Sequence, residues 1–137
     1  MDKEGYDWGE YFQNMGIAAI VLKYRMPHGE PNVPISDAEQ AMKLVRLNAT
    51  GWKINRNDVG IMGFSAGAHL AATIATQSQG EAKPNFQILF YPVISMMEGY
   101  GHEGSRINFL GKRPSKRDEK KYLSLIHISE PTRLLSI

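Results

Sequence analysis

The sequence predicts an α/β fold, a mostly parallel sheet flanked by helices, and three observations carry that expectation. Apolar runs at 16–24, 58–64 and 86–94 lack polar alternation, as strands covered on both faces do. Segments of helical period stand between and before them, and loops rich in Pro, Gly and polar residues separate the segments. The resulting order, helix, strand, helix, strand, helix, strand, implies crossover connections, with an active site at the carboxyl ends of the strands.

The elements follow in order. Trp8, Tyr11, Phe12 and Met15 recur at helical spacing, and Asn14 and Gly16 are residues that end a helix. "GIAAIVLKY" (16–24) reads as the first buried strand. "RMPHGEPNVP" (25–34), with three prolines and a glycine, reads as loop. Ser36 and Glu39 then have capping-box spacing, so a helix is expected to open at Asp37, bury Ala38, Ala41, Met42, Val45 and Ala49, and stop at Gly51. "DVGIMGF" (58–64) is the second strand, "AGAHLAATIAT" (66–76) a helix of small residues, and "FQILFYPVI" (86–94) the third strand. No internal repeat is present.

Composition narrows the function classes. The 137 residues fit one domain, and 42% hydrophobic with 22% charged suits a packed core. The net charge is +2, and the dense run "GKRPSKRDEKK" (111–121) includes Asp118 and Glu119, so it reads as solvated surface and argues against nucleic acid. No cysteine is present, which excludes disulfides and thiolate metal sites without fixing a compartment. No stretch reaches membrane-spanning length, no signal core opens the chain, and neither a cofactor nor a metal is expected. The cellular location, including export, stays open.

"GFSAG" (63–67) places Ser65 where a buried strand must turn sharply into a helix. Gly63 and Gly67 are expected to relieve crowding at that turn, the nucleophile elbow. Such a turn lifts the Ser65 hydroxyl above the sheet and brings the Ala66 backbone N–H, at the helix start, near a developing oxyanion. Ser65 is therefore the candidate nucleophile.

The stretch from Tyr24 to Ala72 resembles the alpha/beta-hydrolase fold, in its esterase and lipase branch that includes bacterial acetylxylan and feruloyl esterases. "LFYPVISM" (89–96) and "HEGSRINFLG" (102–111) extend the resemblance to about residue 122. One departure is Ala68, where relatives commonly carry a second glycine. The resemblance implies carboxylester hydrolysis through a serine, acid and histidine triad and an acyl-enzyme, on a small ester or an acylated carbohydrate. Only Ser65 carries over from that triad. The acid and histidine follow the nucleophile after further strands in this fold, and the glycine-rich oxyanion loop precedes the first helix. Residues 1–122 are thus expected to be a partial domain, truncated on both flanks and inactive or nearly so alone.

Each histidine has a plainer reading than that of a base. His28 lies in the loop ahead of the nucleophile and reads as surface. His69, four residues beyond Ser65 on the same helix, reads as a packing residue. Glu98 and His102 have the right chain order but too short an intervening segment, so His102 reads instead as a possible lining residue of the substrate pocket. "GSRINFLGK" (104–112) has the wrong glycine spacing for a phosphate loop, and the Asn48 sequon falls within a helix. Asp37 reads as helix capping and loop anchoring.

"LSLIHISEPTR" (123–133) is identical to the translated frame of a common transposase sequencing adapter. Residues 123–137, His127 among them, are therefore expected to be read-through rather than native chain. Two other functions remain compatible with the motif. One is a serine peptidase of the prolyl-oligopeptidase type, with the same elbow and a further propeller domain. The other is a noncatalytic hydrolase-like binding protein that retains the serine.

Overall fold

The structure, a computed structural model, describes residues 2–91, 107, 110, 111, 117 and 133–135. Helix α1 spans Asp2–Asn14, α2 Asn32–Leu47 and α3 Ala66–Gln77, and a single 3₁₀ turn covers Gly80–Ala82. Strands β1 (Gly60–Phe64), β2 (Phe86–Phe90) and β3 (Arg133–Leu135) form one sheet in that spatial order. Both pairings are parallel, β1 with β2 running from Gly60 opposite Phe86 to Phe64 opposite Phe90. The expected α/β class with a parallel sheet flanked by helices is what the chain forms.

The two-residue period of a strand divides the sheet into faces. On one, Ile61 packs against Ala38, Leu70 and Ile74, which joins β1 to α2 and α3. On the other, the Phe64 and Phe90 rings stack with centroids 4.7 Å apart, and Trp8 of α1 lies 5.2 Å from Phe90 and 6.2 Å from Phe64. Strand ends covered from both sides account for the unalternating apolar letters of β1 and β2. Helix α3 is buried from Ala68 to Ala75, and its small residues let it lie close to the sheet. Thr73 and Thr76 satisfy their hydroxyls within the helix by donating to the His69 and Ala72 carbonyls at 2.9 and 2.8 Å.

Helix α2 begins earlier than the sequence predicts, at Asn32 rather than Asp37. Pro34 sits in its first turn, where N–H groups have no intrahelical partner and a missing one is harmless. The prolines that read as loop are therefore compatible with a helix start. Ser36 is exposed, and Glu39 accepts instead from the Ser78 hydroxyl at 2.7 Å, tying α2 to the end of α3. The buried positions of α2 are Pro34, Ala38, Met42 and Arg46. Ala41 and Val45 are only half-buried, while Ala49 is buried just beyond the helix end.

Arg46 is the unexpected member of that stripe, since a charge in the core must be paired or fully hydrogen-bonded. Its guanidinium donates to the carbonyls of Glu81 at 3.0 Å and Lys83 at 2.7 Å, to Asn85 Oδ1 at 3.1 Å, and to the Arg56 carbonyl. Asn85 in turn accepts from the Val59 N–H through Oδ1 at 3.0 Å and donates its own N–H to the Val59 carbonyl at 2.8 Å. One side chain of α2 thereby holds together the approaches to β1 and β2.

Residues 17–27, read as the first buried strand and its loop, belong to no regular element. Ile17, Ile20, Val21 and Leu22 are between 38% and 54% exposed. A strand exists through its ladder, and none of the described strands pairs with this run. Its end is nonetheless anchored. The Arg25 guanidinium and backbone N–H converge on the Asp37 carboxylate, at 2.7 Å for Nη2 to Oδ1 and 2.9 Å for the amide. Asp37 thus anchors the loop as expected but does not cap, because the helix has already begun. The 92–94 end of the third apolar run lies outside the described residues. Strand β3 falls within the segment read as adapter-derived. The free edge of β2 pairs with any backbone of suitable length, so this ladder says nothing about the origin of those residues.

Two outcomes follow from these contacts. Arg46→Met leaves several buried carbonyls without donors and is expected to cost about 3 kcal/mol or more in urea unfolding, with Arg46→Lys failing to restore it. The Arg25 side-chain hydrogen bonds, then its backbone N–H, hold the Asp37 carboxyl at about 2 against 3.8 for the free group. That stabilisation is complete above the free-group value and is lost as pH falls through about 2. The pH dependence of the unfolding midpoint is expected to weaken in this acid window in Asp37→Asn.

Candidate active site

Ser65 occupies the single residue between β1 and α3. Its φ of 49° and ψ of −117° lie in a region that L-residues other than glycine rarely adopt. Two backbone bonds hold it there. The Ser65 N–H donates to the Phe90 carbonyl at 3.0 Å, continuing the β1 and β2 ladder, and the Ser65 carbonyl accepts from the His69 N–H at 3.1 Å, opening α3. Strand geometry on one side and helix geometry on the other leave the intervening residue the strained conformation.

The same turn presents the side chain outward. Ser65 and Ala66 are exposed, and the Ser65 hydroxyl makes no capping bond to α3. Ala66 is the first residue of the helix, so its N–H has no intrahelical acceptor and carries the positive end of the helix dipole. A hydroxyl beside a free amide at a helix N-terminus can attack a carbonyl carbon while the amide receives the oxygen's growing charge.

The glycines of the motif divide their roles. A Cβ on Gly63 would overlap the Gly67 carbonyl and come within 2.6 Å of the Ala68 nitrogen, backbone that cannot give way. A Cβ on Gly67 would meet only the Tyr24 hydroxyl, at an ordinary 3.7 Å. The expectation that both glycines relieve crowding is therefore corrected, since the steric demand falls on Gly63. Ala68 is fully buried, so its methyl is accommodated in the packing of α3.

The other candidates separate in space. His28 is exposed in a tight turn closed by the Glu30 N–H to the Pro27 carbonyl at 2.8 Å, with positive φ at His28 and Gly29. His69 is 1% exposed, as a packing residue should be. His102, Glu98 and His127 lie outside the described residues. Among the described residues, no group of three His, Asp or Glu side chains is placed to hold a metal, and no helix is long and apolar enough to cross a membrane. Sequence reasoning missed Tyr91, which is exposed and has a φ of 37° directly after β2. Its place immediately before Pro92, inside an otherwise apolar run, was the available signal.

The chain is similar to known esterases and hydrolases. The profile of the BD-FAE family matches residues 2–112. An acetylxylan esterase of Xylanibacter ruminicola is 54% identical over 113 residues, which cover 82% of this chain and 24% of that protein. The chain therefore spans about a quarter of that relative's length. The crystal structure of an acetyl ester-xyloside bifunctional hydrolase from Caldicellulosiruptor lactoaceticus superposes with a TM-score of 0.88 at 31% identity, covering 99% of this chain and 54% of that one. An alpha/beta hydrolase from a deep-sea metagenome of the Medee basin gives 0.65 at 33% identity, covering 74% and 42% respectively.

The contrast between the glycines is directly measurable. Gly63→Ala is expected to lower stability by about 3 kcal/mol or to prevent folding. Gly67→Ala, on a helical residue with room for a methyl, is expected to unfold in urea within about 1 kcal/mol of the parent.

Proposed function

The chain belongs to the BD-FAE family, and from that membership and the turn at Ser65 we propose that it is the nucleophile-bearing portion of a serine carboxylester hydrolase. The exposed hydroxyl on a strained residue between β1 and α3 carries this reading. Backbone strain of this kind costs about 1–3 kcal/mol, persists where the surrounding structure over-determines it, and clusters at active sites. The relatives' names, an acetylxylan esterase and an acetyl ester-xyloside hydrolase, support an acetyl ester on a plant polysaccharide as the substrate class.

In the proposed reaction the Ser65 oxygen attacks the ester carbonyl carbon, and the Ala66 N–H donates to the resulting oxyanion. Collapse breaks the ester C–O bond, the alcohol leaves with the proton that the Ser65 hydroxyl gave up, and the acyl group stays on Ser65. Water then attacks that acyl-enzyme, releasing the carboxylic acid and regenerating the hydroxyl. Gly63 contributes by letting α3 begin directly beside the strand. Gly67 completes the motif without carrying its steric demand, and His102 is proposed to line the substrate pocket.

A serine hydroxyl is a weak nucleophile without a base, and a general base contributes about 10²–10⁴-fold. The triad acid and histidine are assigned to no residue here, and we place them, with a second oxyanion donor, in the longer protein of which residues 1–122 form part. Residues 123–137 are proposed to be adapter read-through that takes no part in the chemistry. The 137-residue chain alone is accordingly expected to hydrolyse an aryl acetate at least about 10²-fold more slowly than the longer gene product. In that product Ser65→Ala is expected to abolish hydrolysis, measured as release of the aryl alcohol. Turnover that survives the substitution would remove Ser65 from the mechanism.

A further inference from the structure

Tyr91 stands one residue beyond the carbonyl that accepts the Ser65 amide, so its backbone lies about one inter-strand spacing, roughly 5 Å, from Ser65. Among the described residues four other than glycine have positive φ, and two of them, Ser65 and Tyr91, sit side by side at the carboxyl end of the sheet. Alternation along β2 would send the Tyr91 side chain toward α3. Gln87 and Leu89, opposite Ile61 and Gly63, point that way. The φ of 37° instead brings the ring to the other face, with its centroid 6.1 Å from that of Phe64 at an interplanar angle of 49°. There the residue remains 62% exposed.

A strained backbone that delivers a ring to an exposed position recovers little through burial, so core packing does not explain it. The ring also suits one part of an ester better than the other. An acetyl methyl is small and gains from a closed cavity, whereas an open aromatic face matches a broad, flat group such as the C–H face of a sugar ring. We propose that Tyr91 is a specificity-determining residue, the wall on which the alcohol side of the ester stacks, selecting carbohydrate-borne esters over those of small alcohols. This rests on the assignment of Ser65 as nucleophile, since it places the stacked sugar beside that hydroxyl.

The test uses the longer gene product and the ratio of kcat/KM for an acetylated xylo-oligosaccharide to that for ethyl acetate, whose alcohol offers no flat ring. Tyr91→Ala is expected to lower this ratio about tenfold, mostly through KM for the oligosaccharide, the size of one aromatic contact. Tyr91→Phe, which keeps the ring, is expected to hold the ratio within about twofold. If the alanine variant does not fold, Tyr91→Leu keeps the bulk without the aromatic face and is expected to show the same loss. An unchanged ratio in a folded Tyr91→Ala or Tyr91→Leu, or an equal fall for both substrates, overturns the proposal. Failure of the Ser65 assignment would be separate and visible, as hydrolysis retained in Ser65→Ala.

Discussion

Everything at the candidate site depends on how closely the first turn of α3 approaches β1. Gly63 has no side chain, and the space that one would fill is taken by the backbone of Gly67 and Ala68. With that approach allowed, the chain passes from strand to helix through one residue, and that residue must take a positive φ. The hydroxyl is exposed, and the Ala66 amide stands beside it, as consequences of the same contact. Local strain is thus maintained by packing, through a turn that the surrounding sheet and helix over-determine.

A second constraint holds the scaffold from the opposite end of the strands. Arg46 satisfies carbonyls from two separate loop segments, Arg56 in one and Glu81 and Lys83 in the other, and Asn85 bridges to Val59 at the mouth of β1. The parallel register of β1 and β2 begins next to this cluster and ends at the Ser65 amide. A slip of one residue would expose the inward-facing side chains and break both ends together. The polar cluster and the strained turn therefore specify the same alignment from two directions.

Much of this was legible in the letters. The unalternating apolar runs at 58–64 and 86–94 signalled doubly covered strands, and Ser65 between two glycines signalled the turn, because both patterns are written in local sequence. Arg46 was not legible, since an arginine at a helical position reads as surface until the carbonyls that surround it are brought in from residues 56, 81 and 83. The early start of α2 was obscured because Pro34 reads as a breaker wherever its place in the first turn is not yet known. The run from Ile17 to Leu22 shows the converse limit. Its letters describe the environment that a strand needs, while the ladder must come from another segment.

The two bonds that flank Ser65 also determine how it can move. With its amide committed to Phe90 and its carbonyl to His69, the residue retains a single significant rotor, the χ1 bond that carries the hydroxyl. Serine has few rotamers to lose, so little configurational entropy is lost when its hydroxyl settles in one of them. The place of the hydroxyl oxygen is then set by one torsion, on a backbone that strand and helix hold from either side.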